Sequence, residues 1–169
     1  MKNLLFILIL LTLISCGNKM NKKNHSIIGM EFQYFKQIDK LADYTKVSDT
    51  TIYENNLEPK HGILHLRNKV NNLIVFKSIF RDSIENIIYK ISDTLIIKNL
   101  NKPELITIGY CQINGNNNEN IIAIIDKTDS LKVQNIKKVW KANTTTNKIE
   151  IINKLDGINC FNECYIESE

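Results

Sequence analysis

The sequence predicts a small α+β or mainly-β domain, an antiparallel sheet of hairpins preceded by one early helix. Three observations carry this expectation. β-Branched and aromatic runs recur between polar, Asn-rich turns. The run from Tyr89 to Lys98 alternates apolar and polar side chains with a period of two. Phe32, Phe35, Ile38, Leu41 and Ala42 share one face at helical spacing, the one clear helical stripe in the chain.

The elements follow in order. The stripe places a helix over 32–42. Gly62 to Leu66 and Asn72 to Phe80 read as strands joined by Asn68-Lys69-Val70-Asn71, a polar segment that suits a hairpin. Next, Tyr89, Ile91, Leu95 and Ile97 fall on one parity, with Lys90, Ser92, Thr94 and Lys98 on the other, the mark of a half-buried strand. Pro103 punctuates, and Leu105 to Ile113 reads as a further strand. Asn114-Gly115 opens a turn that calls for positive φ. Ile121 to Ile125 is a continuous apolar stretch suited to a buried strand. A second short helix fits around Leu131 to Ile136, and Lys137 to Ala142 with Lys148 to Ile152 frame another hairpin.

The amino terminus is a different kind of segment. Met1-Lys2-Asn3 is short and basic, and the greasy run Leu4 to Ile14 spans 11 residues, where a transmembrane helix needs about 20. These are the parts of a secretory signal. The junction Leu13-Ile14-Ser15-Cys16-Gly17 resembles the lipobox of bacterial lipoproteins. That resemblance implies cleavage after Ser15 and a diacylglycerol carried as a thioether on Cys16. Each buried CH₂ contributes about 0.8 kcal/mol, and two or more chains hold firmly. The expected organisation is a signal peptide at 1–15, a polar, basic tether at 16–26 and one β-rich domain at 27–169. No acidic residue closely follows Cys16, which favours the periplasmic face of an outer membrane by analogy with known sorting signals.

Composition bounds the partners. Twenty-two basic and 18 acidic side chains, evenly spread, describe a solvated surface and not a nucleic-acid stripe. Asn, Ile and Lys crowd the chain while Arg occurs only at Arg67 and Arg81, a bias like that of AT-rich genomes. The stretches Gly109-Tyr110-Cys111-Gln112-Ile113, Ile121 to Ile125, Val139-Trp140-Lys141-Ala142-Asn143 and Gly157 to Glu163 together resemble a group of small, uncharacterised Bacteroidota lipoproteins and secreted proteins. The resemblance covers about the last third of the chain and implies an address without an activity. The group usually has glycine where this chain has Cys164.

With Cys16 assigned to lipid, Cys111, Cys160 and Cys164 remain, an odd number for an oxidising compartment. Three pairings are open. Cys160 and Cys164 on an extended chain would stand about 13 Å apart, beyond the roughly 7 Å limit for a bridge. Cys111–Cys160 is favoured, which leaves Cys164 free.

His61 and His65 invite a metal reading, but Gly62 and Ile63 argue for a strand, and no Glu lies between them as a zinc protease requires. Asp126 and Asp129 lack the alternating ligands and glycine of a calcium loop. No metal and no cofactor is expected. Asp-Thr-Thr at 49–51, Asp-Ser-Ile at 82–84, Asp-Thr-Leu at 93–95 and Asp-Ser-Leu at 129–131 resemble the O-glycosylation sequon of Bacteroidota envelope proteins. They nominate Thr50, Ser83, Thr94 and Ser130, with Thr50 and Ser130 expected to be the best exposed.

No Gly-X-Ser-X-Gly elbow, phosphate-cradling loop or dinucleotide fingerprint is present. The expected function is a non-catalytic, membrane-anchored binding or interaction module of the envelope, held to the bilayer through acylated Cys16, with a protein or glycan partner and no nucleic acid. The alternative is an immunity protein against a secreted toxin, and a periplasmic hydrolase ranks third.

Overall fold

The computed structural model describes residues 26–53 and 58–163. The expectations for the signal segment, for Cys16 and for Cys164 lie outside these residues.

Among the described residues, twelve strands build three antiparallel sheets, in agreement with the mainly-β expectation. The first sheet has the order β1-β5-β4-β3-β2, from β1 (Glu31–Phe32), β2 (Thr45–Ile52), β3 (His61–Arg67), β4 (Asn71–Arg81) and β5 (Ile87–Lys98). The second has the order β11-β10-β9-β6, from β6 (Glu104–Ile108), β9 (Ile121–Asp126), β10 (Ile136–Asn143) and β11 (Lys148–Ile152). A small third sheet joins β7 (Cys111–Ile113), β8 (Asn116–Asn118) and β12 (Ile158–Cys160) in the order β12-β7-β8.

The two larger sheets pack face to face. Ile63, Ile74, Phe76 and Ile97 of the first meet Ile108, Ile122, Ile124 and Trp140 of the second. Each sheet is also covered on its other face. Leu64, Leu66, Leu73, Val75 and Ile91 lie under Phe32, Phe35, Ile38 and Leu41 of the amino-terminal segment. Ile121, Ala123, Ile125 and Val139 lie under Cys111, Cys160, Val133 and Ile158. Strands β3, β4 and β9 are therefore buried on both sides, which is why they read as continuous apolar runs with little alternation. Truncating a fully buried ring such as Phe76 costs about 3–5 kcal/mol.

The early helix is corrected. Residues 35–37 and 39–41 form two short 3-10 turns, separated by Ile38 in an extended conformation (φ −94°, ψ 108°). The buried residues 32, 35, 38 and 41 repeat strictly every third position, the period of a 3-10 helix and not the mixed three-and-four of an α-helix. Ala42 is exposed. The segment around Leu131 to Ile136 is likewise not a helix: Lys132 makes a lone bridge to Phe161, and Ile136 begins β10.

Two strand expectations are refined. The run from Leu105 to Ile113 breaks into β6 and β7 at Gly109, whose φ is +82°. In β5 a bulge skips Ser92, between the Asp93↔Phe76 and Ile91↔Lys77 pairs. One extra residue turns the strand over. Tyr89 and Ile91 accordingly join the amino-terminal layer, whereas Leu95 and Ile97 join the inter-sheet core.

The favoured disulfide is present. Cys160 and Cys111 are direct register partners between β12 and β7, joined by a bond across 49 residues with both side chains buried. Gly157 permits this return, since a Cβ there would collide with the Asn114 side chain.

Candidate functional site

Three of the clefts among the described residues collect polar side chains at the margins of the layers. The first, about 520 Å³, lies beside β3 and is lined by His65, Arg67, Asn72, Asn99 and Glu104 among others. The inward parity of Ile63 also points His65 into the inter-sheet space, where it is 3% exposed. Its Nε2 meets Asn72 Oδ1 at 3.0 Å, and Arg67 Nε donates to the same oxygen at 3.2 Å. Burial pushes the His65 pKa down; the Asn72 hydrogen bond opposes this, and the Arg67 charge adds to it. The imidazole and the Arg67 guanidinium thus share one amide oxygen.

The second cleft, about 410 Å³, opens where the amino-terminal turns meet the first sheet. Lys77 forms its floor on the parity of Leu73 and Val75. Its ammonium contacts both oxygens of Asp49, at 2.7 and 2.9 Å, and lies 3.9 Å from the centre of the Tyr89 ring. Burial lowers the Lys77 pKa, and the Asp49 hydrogen bond and charge pull it back.

The third cleft, about 560 Å³, is lined by Tyr53, Asn117, Asn118, Glu119, Asn120 and Lys141, with Ile52 behind. Tyr53 follows the buried end of β2, and the residue is 48% exposed. Its backbone N–H donates to Glu119 Oε2 at 2.7 Å. Asn120 links β8 to β9; its carbonyl accepts from Ala142 N at 2.8 Å. Its side chain is 7% exposed, and the side-chain oxygen is buried with no hydrogen-bond partner among the described residues.

The residues singled out in the sequence fall mostly elsewhere. His61 stacks on Phe76 (5.5 Å between centroids), and its Nε2 meets Asn147 Oδ1 at 3.2 Å. The two histidines thus serve separate amides. Asp126 is occupied by Asn135 and by Lys137. Among the described residues no three His, Cys, Asp or Glu side chains converge as metal ligands. Of the nominated hydroxyls, Ser83 and Ser130 are exposed, while Thr50 and Thr94 are half-buried in strands. Thr50 is therefore not among the best exposed. Asp82 beside Ser83 accepts from Ile84 N and Asn86 N, and the Asn86 contacts hold its carboxyl below the usual range.

Sequence reasoning singled out none of Lys77, Asp49, Asn72, Asn120 and Tyr53 as cleft residues. Lys77 did leave a signal, as the one charge inside the apolar run from Leu73 to Phe80. Asn120 left none, being one of a cluster of similar Asn residues.

No family model matches the chain, and neither a curated protein nor a solved structure is found similar to it. What the fold and clefts define is a disulfide-linked, layered β protein with polar recesses at its sheet margins.

Proposed function

We propose that the protein is a non-catalytic binding module of the bacterial cell envelope, tethered by acylated Cys16, that engages an envelope protein or glycan. The reading places it on the periplasmic face of an outer membrane. The observation that carries it is the buried Cys111–Cys160 bond, because a cystine built into a core forms and persists in oxidising compartments. The lipobox resemblance at 13–17 supports the same address. Support for binding over catalysis comes from the clefts: His65 and His61 meet amides, and Lys77 meets the one carboxylate of Asp49.

The test is intact and peptide mass spectrometry of native protein from membrane fractions, followed by cross-linking in whole cells. The expected species begins at Cys16, carries acyl chains and contains the Cys111–Cys160 peptide pair. A soluble chain without lipid would sink the anchored reading. Turnover of a substrate lost on mutating a cleft residue would sink the non-catalytic one.

A further inference from the structure

We propose that the cleft between Tyr53 and Asn120 binds a neutral, hydroxyl-rich saccharide, with Tyr53 as its stacking face and Asn120 as its buried polar anchor. The inference rests on the binding-module reading and deepens its glycan branch.

The cleft volume of about 560 Å³ falls within the range of small-molecule sites, about 300–1,000 Å³. Its wall is chemically mixed. Asn117, Asn118 and Asn120 each bring an amide that both donates and accepts, Glu119 accepts and Lys141 donates. One acid balances one ammonium, so the wall has no net charge with which to select an ion. A sugar hydroxyl also donates and accepts, and a ring of alternating hydroxyls needs such a wall to satisfy both capacities at once.

Two further observations point to an occupant. Tyr53 lines the recess as a half-exposed residue, and its backbone is pinned to Glu119 Oε2. A flat ring face so placed suits the C–H face of a pyranose, which is apolar and carries partial positive charge towards the π-cloud. The second observation is the Asn120 side-chain oxygen, buried and without a hydrogen-bond partner among the described residues. Such an acceptor carries the whole desolvation penalty of an unmade hydrogen bond. Asn120 lines the recess, so a turn of its side chain that brings this oxygen to a ligand hydroxyl removes that penalty.

The experiment is calorimetric titration of the purified full chain in detergent with cellobiose, maltose and N,N′-diacetylchitobiose, with galacturonate and glucosamine as charged comparators. The expected result is saturable binding of at least one neutral disaccharide with a Kd of about 1 mM or tighter. Asn120→Leu is expected to weaken it at least about tenfold without lowering Tm, because the variant removes an unpaired polar atom and leaves the rest of the wall. A residue with a merely structural role would lower Tm instead. Tyr53→Ala is expected to weaken binding about tenfold, and Tyr53→Phe to retain it. Tyr53 is exposed, so its variants keep the inference testable even if Asn120→Leu does not fold.

No binding by any of the three at about 10 mM overturns the proposal, as does a preference for the charged comparators. Wild-type affinity in Tyr53→Ala overturns it too. The two readings fail separately. A chain without lipid that still binds the disaccharide refutes the anchor and leaves the site, whereas a lipidated chain that binds none of the three refutes the site alone.

Discussion

The Lys77 ammonium sits 2.7 and 2.9 Å from the two carboxylate oxygens of Asp49, and 3.9 Å from the centre of the Tyr89 ring. The Lys77 side chain is 3% exposed and Asp49 is 34% exposed, so the two partners face unequal losses when the pair is broken. Asp49→Ala strands a buried charge and is expected to lower stability by about 3 kcal/mol at neutral pH. Lys77→Met removes the buried charge itself and leaves a carboxylate that water can reach, so its loss should be clearly smaller. The Asp49→Ala deficit should also shrink at alkaline pH. Burial and the Lys46 charge then act on Lys77 unopposed, holding its folded pKa below 10.5; between that value and 10.5 the unfolded chain binds more protons, so stability rises with pH. Urea denaturation at pH 7 and at about pH 10 checks both. Equal losses for the two variants would contradict the asymmetry.

His65 gives the opposite end of the pH scale. Its folded pKa lies below the ordinary 6.5, chiefly through burial. Above 6.5 the imidazole is neutral in both states and its contribution is complete. As pH falls from 6.5 towards the folded value, the unfolded chain takes up a proton that the folded chain refuses, and stability declines. His65→Gln keeps a partner for Asn72 but does not titrate, so this part of the acid slope should disappear. Melting curves across that window decide it, and an unchanged slope would refute the assignment.

The disulfide joins β7 to β12 within the small third sheet, whose buried residues cover the second sheet's outer face. Replacing Cys111 and Cys160 together by alanine is expected to lower stability by about 2–4 kcal/mol. The measurable signature is a drop in urea midpoint, accompanied by faster amide exchange in β7 and β12. Loss of exchange protection across the inter-sheet core as well would mean that the bond holds the whole protein and not one layer.

Asp93 couples the two large sheets at one seam. Its Oδ2 accepts from the Ile149 amide of β11 at 2.9 Å, while Oδ1 accepts from Thr94 N. Asp93→Ala leaves the Ile149 N–H without this acceptor and is expected to cost about 1.5–3 kcal/mol, the range for hydrogen bonds to charged groups. Asp93→Asn should recover part of that. Exchange at the Ile149 amide is the direct readout, and protection unchanged in Asp93→Ala would show that the seam does not depend on this contact.

The hairpins were legible because their turns are written in local chemistry. Asn68 accepts from the amides of Val70 and Asn71, and Asn143 caps Thr145 and Thr146 in the same way. Non-local features were not. The stripe 32–41 correctly marked buried residues, but the chain had to lie flat across a finished sheet, which two 3-10 turns and an extended Ile38 achieve. The bulge at Ser92 has no local signature, and it sends residues of one parity to opposite faces. β2 escaped notice because an edge strand with a largely exposed, polar surface shows no apolar period. The clefts are harder still: Tyr53 and Asn120 are 67 positions apart in sequence, and only the docking of β2 beside the β8–β9 connection brings them to one recess.

A second orphaned polar atom among the described residues is the Thr107 hydroxyl. Thr107 lies in β6 opposite Ala123, is 1% exposed, and its hydroxyl has no hydrogen-bond partner among the described residues. It shares a parity with Leu105, which packs on the layer held by the disulfide. A buried hydroxyl with no partner carries a penalty of about 1–3 kcal/mol. Thr107→Val keeps the β-branched shape that suits a strand and deletes the hydroxyl, so it is expected to raise stability by about 1 kcal/mol, or Tm by about 2–4 °C. Thr107→Ser retains the orphan and loses the methyl group, and should lower both. If Thr107→Val melts below the native protein, the hydroxyl is satisfied in solution, and the apolar character assigned to this side of β6 is wrong.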